Sequence, residues 1–75
     1  MSNYRFSVII EKDEDGDFAS CHELQGCYTQ GDTYEDAVRN IKDAITLHVE
    51  DRIDAGEEIP QPETVSLTLM DVAVN

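Results

Sequence analysis

Hydrophobic and polar residues alternate from the start of the chain. Tyr4, Phe6, Val8 and Ile10 fall on one parity, and Arg5, Ser7, Ile9 and Glu11 on the other. A period of two marks a strand with one buried face. The acidic tip Asp13-Glu14-Asp15-Gly16 follows, with a glycine able to take the positive φ of a tight hairpin, and residues 17–22 read as the returning strand. Residues 23–27 make a loop around Gly26, and Tyr28, Thr29 and Gln30 a short third strand ending at Gly31. The period then changes. Tyr34, Ala37, Val38, Ile41, Ala44, Ile45 and His48 recur at three- and four-residue steps, which predicts an amphipathic helix. From Tyr34 to Asp54 it would run about 31 Å at ~1.5 Å per residue. Asp32 or Thr33 caps its start, where Thr33-Tyr34-Glu35-Asp36 imitates a capping box with a shorter acid, and Ala55-Gly56 ends it. Pro60 and Pro62 prevent its renewal. Residues 64–74 predict a fourth strand. Val65, Leu67 and Leu69 share one parity there and Val72 and Val74 the other, a phase change near Met70-Asp71.

The order β-β-β-α-β describes an α+β fold in one domain over residues 1–75. Three strands form an antiparallel meander, the helix crosses one face, and the fourth strand returns parallel to the first through a right-handed crossover. The expected helix contact joins Val38, Ile41 and Ile45 to Phe6, Val8, Ile10 and Phe18. Arg5, Ser7, Ile9, Ala19 and Cys21 are then left on the open face. In 75 residues folding hides only about 60% of the chain's surface, so the core is thin and a dimer or higher assembly is expected.

Charge narrows the partners. Seventeen Asp and Glu against five Lys and Arg give a formal charge of -12. Such a surface repels nucleic acid and anionic membranes and attracts a basic protein. No apolar run approaches the ~20 residues of a membrane span, and the opening residues carry no basic, apolar leader, so a cytoplasmic location is expected.

Candidate chemistry is sparse. Cys21 and Cys27 in a reducing compartment do not imply a disulfide. A zinc site would need both, together with His22 and His48, or would have to recruit carboxylates, and the spacings are unlike a zinc knuckle. Asp13, Asp15 and Asp17 resemble the opening of a calcium loop, but Leu24 stands where the bidentate Glu would be needed. A solvated turn is the simpler reading. No metal and no cofactor is expected. Cys21 and His22 are sequence neighbours, but successive strand residues face opposite ways, so they do not form a nucleophile and base.

Four stretches form a distinctive ordered series: residues 4–11, then Asp15-Gly16-Asp17-Phe18-Ala19, then Glu23-Leu24-Gln25-Gly26-Cys27, then Thr29-Gln30-Gly31-Asp32-Thr33-Tyr34-Glu35-Asp36-Ala37. The series resembles the N-terminal domain of HicB-like antitoxins over about four-fifths of the chain. The resemblance implies a small sheet-and-helix fold similar to a truncated ribonuclease H. It also implies a role in neutralising HicA, a small basic double-stranded-RNA-binding-like toxin that cleaves messenger RNA. His22 stands where the family usually has Pro. Full-length HicB proteins carry a C-terminal helix-turn-helix or ribbon-helix-helix module after the fourth strand, where this sequence stops, so a solitary HicB-like domain without DNA binding is expected.

The ribonuclease H likeness raises the question of catalysis. Two-metal cleavage needs carboxylates held together, and the resemblance to ribonuclease H implies an anchoring Asp on the first strand, but residues 4–10 hold no acid. Glu35, Asp36, Asp43 and Asp71 could assist an anchor but not replace it. No catalytic residue is expected. The leading reading is an antitoxin module that covers the basic RNA-binding and catalytic surface of a HicA-like toxin. Its contact candidates are Asp13, Glu14 and Asp15 on the hairpin tip, Asp43 on the outer helix and Ile9 on the open sheet face. The alternatives are a stand-alone oligomeric relative with no toxin partner and a degenerate ribonuclease H-like hydrolase.

Overall fold

In the computed structural model, which describes residues 3–75, the sheet grows from one tight hairpin. Residues 1 and 2 of the expected domain lie outside the described residues. Strands β1 (Val8–Asp13) and β2 (Gly16–Cys21) pair antiparallel with Asp13 opposite Gly16, so Glu14 and Asp15 alone make the turn. The Asp13 carboxylate accepts the Asp15 N–H at 2.8 Å, and Gly16 takes a φ of 128°, open to glycine but strained for other residues. Strand β3 (Tyr28–Gly31) joins the other side of β2, giving the order β1-β2-β3.

This register decides which residues are inside. Val8 stands opposite Cys21 and Ile10 opposite Ala19, and opposite residues share a face. Ala19 and Cys21 therefore lie under the helix and are buried. The expectation that they occupy the open face is corrected, and so is the inward placement of Phe18. Phe18 points to the other side and stacks on Tyr28, ring centroids 5.7 Å apart. A two-residue turn always sets an even position of β1 against an odd one of β2, and the turn length rather than strand composition controls this choice.

Helix α1 (Tyr34–Asp54) has the predicted bounds. Thr33 is its cap: its extended backbone lets Oγ1 accept the Asp36 N–H at 3.1 Å. Glu35 and Asp36 sit in the first turn, where acids suit the helix's positive end, and Asp36 also pairs with Arg39. At the other end the Gly56 N–H donates to the Ile53 carbonyl at 3.1 Å and the Glu57 N–H to that of Arg52 at 2.8 Å. That pair of bonds is a Schellman stop. The inner stripe, Ala37 and Ile41 with Ala44 and Ile45 beside them, meets Ala19, Cys21, Leu24 and Cys27 in the core. Val38, expected in that stripe, is exposed.

The helix leans to one side of the sheet, packing mainly on β3 and β2 and least on β1. Gly31 sets that lean. A Cβ there would sit 2.8 Å from the Asp36 side chain and closer still to the Ala37 amide nitrogen. Farther along, Asn40 Nδ2 donates to the Gln30 carbonyl at 2.8 Å and ties the helix to β3 again.

The predicted fourth strand is not seen in this sheet. Among the described residues the sheet has three strands, and residues 64–74 join none of them. Gln61 is fastened to the chain just before β1: Arg5 N–H donates to Gln61 Oε1 at 2.9 Å and Gln61 Nε2 to the Arg5 carbonyl at 3.1 Å. Beyond Val65 the chain leaves the body, with Leu69 92% and Val74 86% exposed. A strand requires a hydrogen-bonded neighbour, and this segment has none here. The radius of gyration is correspondingly 14.7 Å, against about 11 Å for a compact chain of this length.

Two substitutions test this packing. Ile41→Ala should lower unfolding free energy in urea by about 2–5 kcal/mol, whereas Lys42→Ala, one step round the helix, should change it by less than about 0.5 kcal/mol. Gly31→Ala has no room for its methyl against the backbone of α1 and should lower the urea midpoint more than Thr33→Ala, which removes a cap worth about 1 kcal/mol.

Candidate protein-binding surfaces

The sheet separates two apolar surfaces. On the side away from α1, Ile9, Ser20 and Tyr28 line up across the strands, and so do Glu11, Phe18 and Gln30. Ile9 is 38% exposed, and the Phe18–Tyr28 stack lies beside it. Asp13, Glu14 and Asp15 stand exposed at the hairpin end of this face. Four of the five predicted contact residues therefore belong to one continuous surface. The fifth, Asp43, is exposed on the outside of α1, across the sheet from Ile9. Sequence reasoning missed Phe18 and Tyr28 as members of this surface because it assigned β2 to the wrong face.

The second surface is a groove of about 700 Å³ between α1 and β1, opened by the helix's lean. Phe6, Val8 and Ile10 form one wall, and Tyr34, Val38 and Ile45 begin the other, which continues through Val49 to Ile53. Its signal was present in the chain. Positions 34, 38, 41, 45, 49 and 53 make a second apolar stripe beside the core stripe, wider than three strands can cover.

Between β2 and β3 the loop is held by a half-buried carboxylate. The Ser7 N–H donates to Glu23 Oε1 at 2.7 Å, and the His22 N–H to the Ser7 carbonyl at 3.0 Å, so the loop continues the β1–β2 ladder by one step. Leu24 fills the core beneath it. Burial alone would raise the Glu23 pKa, but the hydrogen bonds from Ser7 outweigh it and hold the carboxyl below its usual range. Cys21 and Cys27 are free and buried, and burial pushes both thiols up. Such thiols stay protonated and unreactive near neutrality. Among the described residues no group of three or more His, Cys, Asp or Glu is placed to hold a metal, and no helix is long and apolar enough to cross a membrane.

The family model for the HicB_like antitoxin of bacterial toxin-antitoxin systems matches residues 6–73, from the approach to β1 through most of the exposed tail. The chain belongs to the HicB-like antitoxin family. A UPF0150 protein of Synechocystis is 40% identical over 63 residues, 83% of this chain and 80% of that relative. Another, from Thermoplasma acidophilum, is 39% identical over 66 residues, 87% of this chain and 96% of its own. The Antitoxin HicB 1 of Photorhabdus laumondii is 33% identical over 76 residues, spanning 100% of this chain but 49% of that protein. No solved structure matches. In HicB-like terms, the matched region holds both surfaces, the hairpin tip and the tail, and the family points to a binding role rather than catalysis.

The Glu23 bond makes a pH prediction. With its folded pKa below the ordinary 4.5, the unfolded chain binds this proton more readily. The stability that Glu23 adds is complete above about pH 4.5 and is lost as pH falls through the lower folded value. Urea titrations of the parent and Glu23→Gln should differ most near neutrality and converge in acid. A constant difference across that range would remove Glu23 from the account.

Proposed function

We propose that this domain neutralises a basic, HicA-like, RNA-cleaving toxin by covering its RNA-binding and catalytic surface. Membership of the HicB-like antitoxin family is the observation that carries the reading. The formal charge of -12 supports it independently, because a protein that grips RNA is basic and this one complements it. Contact falls on the open sheet face. Ile9, Phe18 and Tyr28 supply apolar and aromatic area, which anchors interfaces, and Asp13, Glu14 and Asp15 meet the toxin's cations at its rim. Asp43, behind the sheet, contributes to long-range attraction rather than contact. The mechanism is steric and electrostatic, with no chemical step and no cofactor.

Co-expression with a toxin-like neighbouring reading frame should rescue growth. In binding kinetics with that protein, association should slow as salt rises, since screening acts over about 8 Å at physiological ionic strength, while dissociation changes little. Asp13→Lys with Asp15→Lys should slow association, and Ile9→Asp should speed dissociation. Failure to form a complex, or binding to operator DNA instead, would overturn this reading.

A further inference from the structure

Three features left unused by the toxin reading fit one another. The first is an open sheet edge. The His22 N–H to Ser7 carbonyl bond sets the alternation of the ladder, so Ser7, Ile9 and Glu11 turn their backbone groups toward β2. Val8, Ile10 and Lys12 turn theirs outward, to no strand. The second is the apolar groove beside that edge, walled by Phe6, Val8, Ile10, Val38 and Ile45. The third is the tail, with Leu67, Leu69, Val72 and Val74 all exposed and outside the core.

We propose that residues 67–74 of one copy add as a strand to the β1 edge of a second copy and fill its groove, each copy giving its tail to the other around a two-fold axis. The occupant is a second copy for four reasons. The chain is pinned at Gln61 beside Arg5 and flanked there by Pro60 and Pro62, and past Val65 its large apolar residues are exposed and outside its own core. Its accessible surface is 6370 Å², roughly 1,700 Å² more than a compact monomer of this mass exposes. A standard interface needs only about 800 Å² per partner. The tail is apolar on both parities, and its own body offers an apolar groove on one side only. Finally, Asp71 is the only charge in residues 64–75, so the other residues hold the remaining -11 of the -12 and two copies meet through their least charged part. Lodged beside β1, Leu67 and Leu69 enter the groove beneath Val38 and Ile45, and Val72 and Val74, of opposite parity, turn to the other side of that sheet.

Light scattering with amide exchange tests this on the whole chain. The parent should have a mass near twice 8.4 kDa, with the Val8, Ile10 and Lys12 amides protected. Leu67→Asp with Leu69→Asp, at positions outside the core, should keep the helical circular dichroism, fall to 8.4 kDa and expose those amides. A parent monomer with protected β1 amides would mean that each tail folds back on its own sheet, and would overturn the proposal. A tail variant that stays dimeric would overturn it in favour of another face. A small apolar molecule found in the groove of a parent monomer by native mass spectrometry would overturn it as well. None of these outcomes depends on a toxin.

Discussion

Asp13 faces Gly16 across a two-residue turn, and the molecule's division into inside and outside follows from that pairing. It places Ala19 and Cys21 beneath Ile41 and sends Phe18 to the far side to meet Tyr28. Shifted by a single residue, β2 would bring Phe18 and Ser20 under the helix and turn Ala19 outward. The small residues it presents let α1 approach closely, and the absence of a side chain at Gly31 lets the helix start directly on β3. The lean that results opens the groove over β1. One turn thus determines the core, the aromatic stack and the cleft together.

The helix was legible because each of its boundaries has a local cause. Thr33 caps it, Gly56 stops it, and the three- and four-residue spacing runs without interruption between them. The inward residue at each β2 position was not legible from hydropathy, since Phe18 outweighs Ala19 on any scale while the register overrides both. Strand order among the first three elements followed from short loops. The fate of residues 64–74 could not follow from local pattern, because a strand is a relation between two backbones and its partner is not encoded nearby. The predicted acidic tip and Ile9 came out on one surface, whereas Phe18 and Tyr28 joined it only once the register was known.

Glu23 illustrates how a small domain extends limited means. The carboxylate lies beside a buried thiol, accepts the Ser7 amide where a strand residue would ordinarily do so, and holds a loop whose Leu24 completes the core. One ionised group therefore ties together the start of β1 and the connection to β3. Most of the other acids lie on the exposed surface, whereas this one is fixed through a single oxygen, Oε1, to the backbone just before β1.

The bond from Asn40 to the Gln30 carbonyl has a consequence for how far the sheet can grow. Asn40 occupies one outward acceptor of β3, the Gln30 carbonyl, whereas the outward groups of β1 face no strand. A sheet open at both margins can recruit neighbours without end, which is the geometry of fibres. A sheet open at one margin is saturated after a single addition. A helix side chain on the far border thus removes one of the acceptors through which a further strand could pair there.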